Sequence, residues 1–148
     1  MPQVPQQEVE PGLVVHIDTD ELRRLGGSQT NAERTLTEDR AVRGPHYFLI
    51  LEVTGDACVA APLFTRRTPG AERLDENRKT GLPAKWIGQD SHFNRWQHWR
   101  IPLAAVEASS ADEESNDANR RRYAHDERAV LAAILAWQAR NRAGYRAA

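Results

Sequence analysis

A chain of 148 residues, 40% apolar and 28% charged, has the length of one domain and enough apolar side chains for a single core, which excludes wholesale disorder. No apolar run approaches the ~20 residues of a bilayer-spanning helix, and the opening residues lack the basic flank and apolar stretch of an export signal, so the expected location is the cytoplasm. The formal net charge of −1 excludes strong whole-molecule steering toward polyanions, so any polyanion site must be local. Cys58 is the single cysteine; an intrachain disulfide is impossible, and between Ala57 and Val59 the thiol reads as a small buried hydrophobe.

Residues 1–10 are rich in Pro, Gln and Glu and read as a disordered tail, leaving 11–148 as one domain. The run Leu13, Val14, Val15, His16, Ile17 predicts a first strand, and Asp18, Thr19 and Asp20 suit a turn or the N-cap of a brief helix over 21–25. From 26 to 40 the chain is polar with few apolar anchors, which predicts a long surface loop. Residues 46–53 are aromatic and β-branched at the ends and apolar on both faces in the middle, the pattern of a central strand. Thr54, Gly55 and Asp56 supply a turn, and an apolar run over 57–63 completes a hairpin, with Pro62 pointing to an edge or a bulge.

A second polar stretch, 65–85, is basic through Arg66, Arg67, Arg73, Arg78, Lys79 and Lys85. Residues 86–99 hold Trp86, Trp96 and Trp99 with His92 and His98, and predict one or two short strands. The Ser/Asp/Glu/Asn-rich segment 108–119 reads as a surface linker, and Arg120, Arg121 and Arg122 as a solubilising turn. Over 126–143, Val130, Ile134 and Trp137 form one stripe with Leu131 and Leu135 beside it, which predicts an amphipathic closing helix. No internal repeat stands out, and the 16–63 segment shows no metal, phosphate-loop or dinucleotide motif.

Several of these pieces occur in a characteristic order: Val42, Arg43, Gly44 and Pro45 before the central strand; Ala60 to Thr65, containing Pro62 and Leu63, after the hairpin; Gly81 and Leu82 followed by Asp90 and Ser91; then Trp99 to Pro102. Over residues 11–142 this order resembles the PemK/MazF family of toxin endoribonucleases. The resemblance implies a mainly β fold with helices, a small SH3-like barrel closed by the C-terminal helix. It implies a protein commonly dimeric, which cuts single-stranded RNA without a metal or other cofactor and is blocked by an antitoxin. It further implies cleavage roles for Arg43 and Thr65. Gly44 between Arg43 and Pro45, and Phe64 ahead of Thr65, depart from the family pattern.

Metal-free RNA cleavage needs a group to take the 2′-hydroxyl proton, a donor for the leaving oxygen and fixed positive charge at the phosphate. Arg43 suits the last, Thr65 can hydrogen-bond a phosphate oxygen, and His46 or His92 titrates nearest neutrality. Arg66, Arg67, Arg78, Lys79 and Lys85, with Trp86 and Ser91, form the expected RNA track, in which cations neutralise phosphates and ring faces stack on bases. Each has an ordinary alternative: a solvated surface arginine, a strand-end threonine, a turn serine, a structural histidine, a core tryptophan. The rival reading is a non-catalytic module that uses the Trp-rich 86–99 segment to hold a protein or nucleic-acid partner. The histidines lack metal-ligand spacing, which argues against a metal enzyme.

Overall fold

The computed structural model describes residues 2–139 and 144–148. Alternating apolar residues build strands β1 (Val14–Asp18), β3 (Pro45–Thr54), β4 (Ala57–Pro62) and β8 (Trp99–Pro102). Two short strands, β2 (Gln29–Thr30) and β10 (Arg146–Ala147), extend them into a six-stranded antiparallel sheet of order β1-β3-β4-β8-β2-β10. Helices α1 (Thr19–Leu25), α2 (Ala84–Gly88), α3 (Leu103–Ser109) and α4 (Arg128–Ala139) pack around it. Two further ribbons form, β5 (Ala71–Arg73) with β7 (His92–Asn94), and β6 (Lys79–Thr80) with β9 (Arg122–Tyr123). Among the described residues β1 and β10 end the sheet without pairing to each other, so it is an open sheet.

Both faces of this sheet are buried, because neighbouring residues on a strand point to opposite sides. Val15, Ile17, Phe48, Ile50, Cys58, Ala60, Trp99 and Ile101 face one core, shared with Leu22 of α1 and Val106 of α3. Val14, Leu49, Leu51 and Ala61 face the other, shared with Trp86, Phe93, Leu131 and Ile134. Complete burial of a side chain such as Phe48 or Ile50 is worth about 1.5–3 kcal/mol. Cys58 lies in the first core as expected, and burial pushes its thiol up to about 12.

The central hairpin and α1 match the reading from sequence; Asp18 caps α1 by accepting a hydrogen bond from the Asp20 amide. Pro62 sits at the end of an interior strand, which is compatible because β8 stops pairing at Ala60 and the missing N–H faces no partner there.

Four expectations are corrected. Residues 2–10 pack rather than trail: Val4 is fully buried and its amide donates to Ser110 Oγ at 2.8 Å, while the Asp112 amide donates to the Pro2 carbonyl at 2.8 Å. The 108–119 segment begins inside α3 and buries Ser110 and Asp112. Trp86 lies on α2 rather than on a strand.

Arg120, Arg121 and Arg122 are all buried. Arg120 binds Glu8 at 2.7 Å and Asp112 at 3.2 Å, Arg122 binds Asp117 at 2.7 Å, and Arg121 stacks on Tyr47 with its guanidinium 4.5 Å from the ring centre. The N-terminal segment (Glu8, Glu10) and the 108–119 segment (Asp112, Asp117) together supply the carboxylates that compensate these charges, so the misread segments explain one another. Of the 126–143 helix, α4 is described from Arg128 to Ala139, with Trp137 edge-to-face on Phe93 at 5.5 Å; residues 140–143 lie outside the described residues.

Candidate functional site

Antiparallel pairing of β3 and β4 sets Phe48 opposite Pro62, and the Leu63 amide continues the ladder to the Tyr47 carbonyl at 2.8 Å. The start of β3 and the residues after β4 therefore share one end of the sheet. The His46 and Phe64 rings meet across this pair, 5.7 Å apart and edge-on. Arg43 and Thr65, just beyond, are both exposed. Arg43 is held loosely, 3.5 Å from Asp39. No hydrogen bond joins Arg43 to Thr65 among the described residues. Burial lowers the His46 pKa, against the opposing pull of the Leu63 and Arg43 backbone; its imidazole is therefore neutral at pH 7 and able to accept a proton.

On the Thr65 side, Tyr47, Leu63, Thr65, Lys85, Trp86 and Ser91 line a depression of about 40 Å³. Lys85 is exposed and 3.6 Å from Glu113. Lys79 is not available to any ligand: its side chain is fully buried, 2.6 Å from Glu76, and donates to the carbonyls of Trp86 and Gln89 and to Ser91 Oγ. Its ammonium also lies 4.3 Å from the Trp86 ring centre, and the indole N–H of Trp86 donates to the Thr80 carbonyl. Lys79 and Trp86 thus anchor α2, which corrects their assignment to an RNA track.

Arg78 is occupied by Asp75 at 2.6 Å and Glu127 at 3.0 Å, near the start of α4. His92 is buried, with its backbone paired to Phe64 and its Nδ1 3.3 Å from the Phe64 carbonyl; it fixes the strand end and does not face the mouth. Of the expected track, Arg66, Arg67 and Lys85 stay exposed and Ser91 is half-buried.

A larger concavity on the other side of Phe64 had no sequence signal except the length of the 26–40 loop. It has a volume of about 760 Å³ and lies between residues 31–42 and residues 64–69 and 94–97. Gln97 builds its floor: Oε1 accepts from the Val42 amide at 3.0 Å and from the Trp99 indole at 2.8 Å, and Nε2 donates to the Arg40 carbonyl at 3.2 Å. The loop is tied down by Arg146 from the C-terminal strand, which binds Asp39 at 2.6 Å and the Ala32 carbonyl at 3.3 Å. Asp39 thereby links the C-terminal strand to Arg43.

Comparisons with family models, with curated proteins and with solved structures find no match to this chain. Its function is to be read from the geometry above.

Proposed function

We propose that this protein is an endoribonuclease of the PemK/MazF kind, built on a barrel-like open sheet, which cuts single-stranded RNA without a metal and is restrained by an antitoxin that covers the same mouth. The observation that carries the reading is the shared end of β3 and β4, where Arg43, His46 and Thr65 flank one exposed edge around Phe64. In this reaction a neutral His46 takes the proton of the 2′-hydroxyl as that oxygen attacks the adjacent phosphorus. The phosphorus–5′-oxygen bond breaks, the leaving oxygen takes up a proton from solvent, and the products are a 2′,3′-cyclic phosphate and a free 5′-hydroxyl. Arg43 stabilises the charge that grows on the phosphate, a task for which its permanent charge and paired donors fit it. Thr65 donates to a phosphate oxygen, and Arg66, Arg67 and Lys85 hold the flanking backbone.

The test is incubation of purified protein with a pool of single-stranded RNA in the presence of chelator, with the cut ends mapped. Wild type is expected to cut and Arg43→Ala to lose about 10²–10³ of the rate; intact RNA with both would remove the enzymatic reading. The non-catalytic module is weakened as first framed, because Trp86 and Trp99 are buried and only Trp96 of that segment is well exposed.

A further inference from the structure

We infer that Tyr47 is the general acid of this site and gives its phenol proton to the leaving 5′-oxygen; this rests on the ribonuclease reading and goes beyond it by naming the donor. A ribose 5′-oxygen leaves as a strongly basic alkoxide unless it is protonated while its bond to phosphorus breaks, so the reaction needs such a group. In an in-line displacement the attacking and leaving oxygens stand on opposite sides of the phosphorus, so base and acid must approach from opposite sides.

The strand register supplies that arrangement, because consecutive side chains of a strand point to opposite faces. His46 meets Phe64 on the side of the first core, whereas Tyr47 and Leu63, joined by their 2.8 Å ladder hydrogen bond, pack with the second. Thr65, two residues beyond Leu63, returns to the Tyr47 side, where both line the same depression of about 40 Å³. A phosphate held by Thr65 at the end of the sheet therefore has His46 on one side and Tyr47 on the other.

The other polar groups of this depression are engaged. Lys85 pairs with Glu113 at 3.6 Å, Ser91 Oγ accepts from Lys79 Nζ at 3.3 Å, and the Trp86 indole donates to the Thr80 carbonyl. The Tyr47 hydroxyl makes no hydrogen bond among the described residues. Its ring is held instead, by the Arg121 guanidinium 4.5 Å from the ring centre and by the His16 ring at 5.0 Å. The side chain is thus fixed in place while its hydroxyl is left for a ligand, which is the preorganisation that proton transfer rewards. In the step, the 2′-oxygen bonds to phosphorus and its proton passes to His46, while the phosphorus–5′-oxygen bond breaks and the Tyr47 proton passes to the 5′-oxygen. His46 then gives its proton to solvent and the phenolate takes one back, which restores both groups.

The experiment uses an RNA with one cut site mapped by the wild-type protein, and a copy in which sulfur replaces the leaving 5′-oxygen. A thiolate leaves without being protonated, so only the oxygen substrate needs the acid. Tyr47→Phe keeps the ring against Arg121, and matched melting curves check that it is folded. It is expected to cut the oxygen substrate about 10²–10⁴-fold more slowly than wild type and the sulfur substrate within about twofold of wild type; Arg43→Ala should be slow on both. Equal losses on the two substrates would reduce Tyr47 to a structural role, and a wild-type rate on oxygen would give the proton to a water. Either result overturns the assignment and leaves the ribonuclease reading standing, whereas RNA left intact by wild type removes that reading and this one with it.

Discussion

At the scale of single residues, charge placed in or out of water decides most of what each side chain does here. His46 is half-buried and His98 buried, and burial lowers both pKa values below the usual 6.5. The folded chain therefore binds these protons less tightly than the unfolded one, so the stability they contribute is complete above about pH 6.5 and is lost as pH falls through the lower folded values. Urea midpoints are expected to be flat from pH 7 to 8 and to decline below 6.5; a midpoint that rises on acidification would contradict this. The same shift sets the cleavage profile, because His46 as base requires its neutral form. The rate should climb with pH to a plateau whose midpoint lies below 6.5, and His46→Gln should abolish that limb. Asp112 makes the opposite case, fully buried and facing Arg120 and Arg121. Asp112→Ala leaves two guanidiniums short of compensation and should cost roughly 3–5 kcal/mol in chemical denaturation.

At the scale of elements, the strands follow from side-chain alternation, whereas α2 and its neighbours follow from specific polar contacts that periodicity does not show. Lys79 on β6 reaches under α2 to the carbonyls of Trp86 and Gln89, and this one buried ammonium organises a five-residue helix too short to stand alone. The sequence cannot announce that role, since a lysine in a basic stretch has the same composition whether it faces solvent or a ring of carbonyls. Gly81 is a further hinge of this kind: with φ at +97°, a Cβ there would lie 2.1 Å from the Arg120 carbonyl. Gly81→Ala should therefore cost more than ~1 kcal/mol, read as a lower melting temperature, through both the backbone conformation and the collision. Were the melting temperature unchanged, the packing of the 79–83 segment against 120–122 would be wrong.

At the scale of the whole molecule, the two chain ends close the structure. Residues 2–10 cover one core and supply Glu8 to Arg120, and the C-terminal strand pairs with β2 and holds Asp39 through Arg146. Removal of residues 144–148 would release the 31–43 loop, so RNA cleavage should fall about tenfold or more through misplacement of Arg43, with the sheet otherwise intact by circular dichroism; undiminished cleavage would show that the strap is dispensable. The central hairpin, the Asp18 cap, the buried Cys58 and the apolar stripe of α4 were legible in the sequence, because each depends on spacing between near neighbours and on whether a side chain prefers water. The end of the sheet shared by Arg43 and Thr65 was legible only as a family resemblance. Burial of Arg120–Arg122, the retreat of Lys79, Trp86 and His92 from solvent, the ordering of residues 2–10 and the cleft floored by Gln97 were decided by tertiary structure alone. Each rests on a partner that the local pattern does not name, from a few residues away for Lys79 and Trp86 to 112 for Arg120 and Glu8, and for a polar or charged side chain it is the partner, not the residue type, that determines whether burial is affordable.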